Sequence, residues 1–133
     1  MPGKSQYYSD CVLNVLAGTA INGVSPYLAL FSAAPANNAS AGTELNGNGY
    51  ARQPITFSTP APDGTGNVQI ISNTNNILLG PAAADWLPAV AFGIFDAQTN
   101  GNLLYWSTLA VTKTIQQGDF GQFAPGSLVV EED

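Results

Sequence analysis

The chain predicts an all-β fold: an antiparallel β-sandwich or small barrel of about seven or eight short strands, preceded by one N-terminal helix. Three observations predict it. Short apolar runs recur at spacings of roughly ten residues, separated by clusters of Gly, Pro, Asn and Asp. A helical pattern is confined to the first twenty residues. The chain has 133 residues, enough to bury roughly two thirds of the surface it exposes when unfolded, so a single β-domain over 1–133 can close a core without staples.

The helical segment falls within residues 1–20. Ser5 or Ser9 caps it, Tyr8, Val12, Val15 and Leu16 make its apolar face, and Gly18 stands where a terminating glycine belongs. "SPYLALFSAAP" then carries a seven-residue apolar run between Pro26 and Pro35, too short for a typical helix, which reads as a strand buried on both faces. Residues 34–49, "APANNASAGTELNGNG", read as a long polar loop. In "YARQPITFS" Pro54 cannot donate to a ladder, which marks an edge strand or a bulge.

"PAPDGTGN" is a turn cluster, and "VQIISNTNNILLG" is one long strand or two short ones broken at "SNTNN". "AADWLPAV" is a polar-aromatic corner. "VAFGIF" and "NLLYWSTL" flank a turn-rich connection ending in Asn100-Gly101, the clearest hairpin in the chain. Two further short strands surround Gly118-Asp119 and Pro125-Gly126, and the chain ends in an acidic tail.

Composition narrows the function. Charged residues make up 9% of the chain, against about 25% in an average soluble protein, while the apolar share is ordinary at 45%. A surface built from Asn, Gln, Ser, Thr and Gly is buried against a neighbour without desolvating many ions, which points toward assembly. The net charge of −6, with Lys4, Arg52 and Lys113 far apart, argues against nucleic-acid binding. "MPGKSQYYSDC" lacks the apolar core of a secretory signal, and "LLGPAAADWLPAVAFGIF" is broken by Pro81, Asp85 and Pro88, so neither secretion nor a membrane span is expected. The expectation is a soluble protein made in the cytoplasm.

The same residues leave little for catalysis or cofactors. With no His and only Cys11, the usual zinc, copper and haem ligand sets and the Ser-His-Asp type of triad are missing. Cys11 reads as a core or interface residue. Asp85 and Asp96 read as turn stabilisers, and "DGTGN" and "SNTNN" lack the spaced carboxylates of a dedicated calcium loop. No catalytic residue, cofactor or metal is expected. Tyr105 and Trp106 are neighbours in a strand, so one faces the core and the other is available for a contact.

Arg52 is the remaining oddity, one of three cations in an acidic chain, placed directly after "GNGY". A partly buried guanidinium needs a carboxylate or carbonyl partner. Within the chain that partner is Asp96 or Asp85, and across a subunit boundary it is Glu44, Glu131 or Glu132. Either way Arg52 reads as a fastener. Arg52, Tyr50, Glu44, Trp86, Trp106 and Glu131 are the interface candidates.

The order "YLALFSAAP", "GTELNGNGYARQPITF", "ADWLPAVAFGIFDAQTNGNLLYWSTL", "GDFGQFAPGSLVV" resembles a group of small bacteriophage virion proteins, over about residues 26 to 130. The "GYARQ" and "FGIFDA" blocks carry the resemblance. It implies a virion structural protein, capsid-bound or tail-associated. Nothing in the sequence builds a fibre shaft, since it has no repeat, heptads or Gly-X-Y period. The expectation is therefore a cement or decoration protein on the capsid surface, bridging major capsid protein subunits as a homo-oligomer, with a trimer as the example. A tail, neck or tail-fibre component is the alternative. A carbohydrate-binding module using Trp86 or Trp106 is a second one.

Overall fold

A computed structural model describes residues 3–19, 23–36, 42–66 and 68–132. Among them run one helix and eleven strands, in the order β1 (Gly3–Lys4), α1 (Gln6–Leu16), β2 (Tyr27–Ala33), β3 (Thr43–Glu44), β4 (Gln53–Pro54), β5 (Ala61–Pro62), β6 (Gln69–Ser72), β7 (Ile77–Leu79), β8 (Ala89–Phe95), β9 (Leu103–Lys113), β10 (Gly121–Phe123) and β11 (Val129–Glu132). Several are two-residue pieces, which is why apolar runs alone undercount them.

All pairings are antiparallel. Six strands form the main sheet in the order β1-β9-β8-β2-β3, with β4 also paired to β2. Two smaller sheets, β10-β7 and β11-β6-β5, complete the fold, and none of the three closes into a barrel. The hairpin expected from "VAFGIF" and "NLLYWSTL" is the β8–β9 pair, with Gly93 opposite Trp106 and Ile94 opposite Tyr105.

Strand β2 is buried on both faces, as its unbroken apolar run requires. Leu28 and Leu30 point into the main core with Ile77 and Leu79 of β7, Ile94 of β8 and Phe123 of β10. The small sheets therefore cover one face of the large one. Ala29 and Phe31 point the other way and cluster with Ala91, against which Phe95 packs. Gly93 makes room there: a Cβ at this position would lie 2.7 Å from the Phe31 ring and 2.9 Å from Leu103.

The long 34–49 segment is not wholly loop. It contributes β3 to the edge of β2, then a tight turn at Gly47–Gly49, and its residues 37–41 lie outside the described residues. Pro54 sits at the edge of the sheet, as its missing N–H demands. "SNTNN" does break its region into two strands. The buried Asn73 bonds Asn75 O, Ala124 O and Leu128 N through its amide, tying the β6–β7 corner to the turn before β11.

Helix α1 departs from expectation. Ser5 is its cap, accepting from Tyr8 N at 3.1 Å, and Gly18 lies just past its end at φ 96°. Its apolar face, however, contributes no buried residue. Leu13 and Leu16 are 62% and 86% exposed.

Candidate functional site

Three segments meet beside the turn end of the β8–β9 hairpin. The first is the turn 47–49, where Gly47, Asn48 and Gly49 all adopt positive φ. A side chain at Gly49 would press its Cβ to 2.8 Å from Pro81 O, so only glycine lets this turn approach the 81–86 corner. Asn48 O then accepts from Ala83 N at 2.7 Å and from the Trp86 indole N–H at 2.8 Å. The turn is locked to the corner, and the ring of Tyr50 meets that of Trp86 edge-on at 5.6 Å.

This placement aims Tyr50 and Arg52 at Glu44 of β3. The Tyr50 hydroxyl donates to Glu44 Oε2 at 2.6 Å and accepts from Leu30 N at 3.1 Å. Arg52 donates Nε–H to Glu44 Oε2 at 2.9 Å and Nη2–H to Oε1 at 2.8 Å, a two-point grip on the carboxylate. Its Nη1 donates to Ala97 O at 3.0 Å and Asn100 O at 2.7 Å, both in the hairpin connection. The guanidinium carbon lies 3.6 Å from the centre of the Phe95 ring.

The hairpin connection is shaped to receive it. Asn100 and Gly101 adopt φ values of 55° and 75°, and Asp96 accepts from Asn102 N at 2.7 Å and from its side-chain amide at 3.1 Å. A Cβ at Gly101 would fall 2.5 Å from the Asp96 carboxylate. The "NG" pair and Asp96 thus turn the Asn100 carbonyl toward Arg52.

Chemically this arrangement holds rather than reacts. Four of the five guanidinium N–H donors are used within the chain and the charge is matched by Glu44, so the group is committed to holding its own chain together rather than to recruiting an anion. Burial, together with the bond to the Glu44 carboxylate, pushes the Tyr50 phenol far above its ordinary pKa, so it stays a neutral donor. A polar groove of about 660 Å³ opens beside the cluster, lined by Glu44, Arg52, Gln98 and Asn100 among others.

The candidates from sequence therefore divide. Arg52, Tyr50 and Glu44 come together, with Trp86 at their edge. Trp106 lies in β9 opposite Gly3 and Gly93, and Glu131 lies in β11 opposite Ile70, so neither joins the cluster. The Arg52 partner is Glu44 of the same chain, not Asp96, Asp85 or a neighbour's carboxylate. Register explains it: β3 pairs with β2 beside β4, which sets Glu44 within reach. Asp96 stabilises its own turn, and Asp85 accepts from Gln117 N at 2.8 Å.

Trp86 and Trp106 are each 6% exposed, so neither presents a ring for sugar stacking. In "DGTGN" the Asp63 carboxylate accepts from Thr65 N, Thr65 Oγ1 and Gly66 N. The Thr65 side-chain bond is the main cause holding its pKa below the ordinary value. Among the described residues no three His, Cys, Asp or Glu side chains gather as metal ligands, and no helix is long and apolar enough to cross a membrane.

Sequence reasoning missed the uncovered outer edge of α1. The face expected from Tyr8, Val12, Val15 and Leu16 is itself left partly uncovered, with Leu16 86% exposed, and Leu13 widens the apolar arc beyond it; that width was the available signal.

Comparison with known protein families matches residues 3–131 to the podophage GP4 fiber I protein gp80 family. The chain belongs to that family. It is therefore a phage structural protein, and the family implies association with the virion. No curated protein matches the chain.

Proposed function

We propose that this protein is a non-enzymatic, tail-associated component of a podophage particle, serving as a fibre or fibre-base subunit. The observation that carries the reading is the match of nearly the whole chain, residues 3–131, to a family described as a fibre protein. This favours the tail over the head and replaces the cement or decoration role expected from composition. That expectation rested on the lack of a repeating shaft, but a fibre also needs compact subunits at its base or tip.

The mode of action is adhesion through surface area. The Glu44–Tyr50–Arg52 cluster is closed within the chain and keeps the hairpin and the 43–52 segment in a fixed relation. The weakly charged surface around this rigid body is suited to contact with other virion subunits, including further copies of itself.

Copy number per purified particle, measured by quantitative mass spectrometry against the major capsid protein, tests the assignment. A few copies to a few tens per particle are expected of a tail component. A ratio near one per capsid subunit would return the protein to the head, and absence from the particle would remove the virion role.

A further inference from the structure

The groove of about 660 Å³ beside the Arg52 cluster has a floor and a rim of different character. At the floor, Arg52 is 8% exposed and spends four of its five N–H donors inside the chain, so one Nη2–H keeps no acceptor among the described residues. Glu44 accepts three bonds, two from Arg52 and one from Tyr50, which leaves open one of the roughly four lone-pair sites of a carboxylate, and its side chain is 25% exposed. The floor thus offers one donor and one acceptor side by side, on groups whose charges cancel.

The rim is made of neutral amides and a hydroxyl. Asn46 comes from the 43–52 segment, and Gln98, Thr99 and Asn100 come from the hairpin connection. All four are exposed, and none uses its side chain in a hydrogen bond to the described residues. Neither segment is slack: Arg52 bonds Ala97 O and Asn100 O on one and Glu44 on the other, so the walls are held in place before any ligand arrives.

We propose that this groove binds a neutral saccharide through hydrogen bonds to its hydroxyls. The inference goes beyond the tail assignment and does not depend on it. A ligand here has to give and take hydrogen bonds at once, because the amides and the Arg52–Glu44 pair present both donors and acceptors. A sugar hydroxyl does both, and two neighbouring hydroxyls meet the donor and the acceptor of the floor together. Phosphate and other anions only accept, and they would approach Glu44 on a chain of net charge −6. A peptide needs pockets for its side chains, yet the aliphatic lining among the described residues is Leu45, which is buried, and Ala51. Water held in such a groove is displaced at little cost by hydroxyls that reproduce its hydrogen bonds. The volume lies within the roughly 300–1,000 Å³ of small-molecule sites. With exposed walls, binding is weak, at a dissociation constant of about 1 mM.

The test titrates neutral oligosaccharides of glucose, galactose, mannose and N-acetylglucosamine into the isotope-labelled intact chain and follows its amide resonances, with sialylated and sulfated oligosaccharides as the anionic comparison. At least one neutral member should move the backbone signals of residues 98–100 and the side-chain amides of Asn46, Gln98 and Asn100. Asn46→Ala/Gln98→Ala should weaken that binding about tenfold or more with an unchanged thermal melt, since two ligand bonds are lost and no internal one. Thr99→Trp, which fills the groove from an exposed position, should abolish the shifts and stands in if the double variant fails to fold. The absence of shifts with every neutral member overturns the proposal. Shifts with the anionic sugars alone overturn it too, as do shifts that survive both variants. The tail assignment is read from copy number per particle, so either can fail while the other stands.

Discussion

At the hairpin end, a guanidinium only 8% exposed finds a carboxylate, two carbonyls and an aromatic ring within its own chain, whereas at the helix end Leu16 is left 86% exposed. The costly group is covered and the cheap one is not. Burying an unpaired charge costs several kcal/mol, so the fold must resolve it internally, whereas an exposed leucine forgoes only about 1.5–3 kcal/mol. The contrast separates residues that hold the subunit together from those that add little to it. Substitutions at the closed end should therefore register as stability, and those at the open end should leave it nearly unchanged.

The largest effect expected at the closed end is Trp86→Ala. It removes a buried ring and leaves Asn48 O without its indole donor, so urea denaturation should show a loss of about 3–5 kcal/mol. A loss below about 1 kcal/mol would place Trp86 at the surface and reopen its role as a contact.

Next comes the ion pair, which is asymmetric. Glu44→Ala leaves the buried Arg52 without its carboxylate and should cost about 3 kcal/mol, the low end for a buried pair because the Glu44 side chain is 25% exposed. Arg52→Ala should cost less, about 1–2 kcal/mol, because Glu44 keeps the Tyr50 donor and reaches water. Urea midpoints check the order. If Arg52→Ala leaves stability intact and lowers the oligomer mass instead, the pair acts between subunits and the comparison fails.

The smallest effect carries the sharpest signature. Tyr50→Phe should cost about 1 kcal/mol near neutral pH, where Leu30 N and Glu44 each lose a partner. The folded phenol has its pKa raised, so its contribution is fully present below the unfolded value of about 10. Above about pH 10 the unfolded chain ionises while the folded one does not, which favours unfolding. The gap between parent and Tyr50→Phe should therefore shrink as pH rises past 10, read from urea midpoints across that range. A constant gap would mean that the phenol titrates alike in both states.

Much of the closed end was legible beforehand. Pro54 announced an edge, "LALF" a strand buried on both faces, and Asn100-Gly101 with Asp96 a hairpin turn, because each follows from the local geometry of one or two residues. A lone Arg52 in an acidic chain announced a fastener. Its partner was not legible, since Glu44 is brought to it by the pairing of β3 and β4 with one strand, and register is a property of three segments at once. Trp86 and Trp106 were interface candidates, with the sequence leaving open which of Tyr105 and Trp106 is core, until packing buried both tryptophans.

By itself the sequence determined the all-β class, the single helix with a serine cap and the Gly18 stop, most strand positions and the weakly charged surface. These depend on backbone propensity, periodicity and composition, which are local or additive. Tertiary structure decided which carboxylate holds Arg52, that both tryptophans are core, and that the helix keeps its apolar edge outside. Those outcomes depend on which surfaces meet, and a one-dimensional pattern records how apolar a face is without recording whether its own chain covers it.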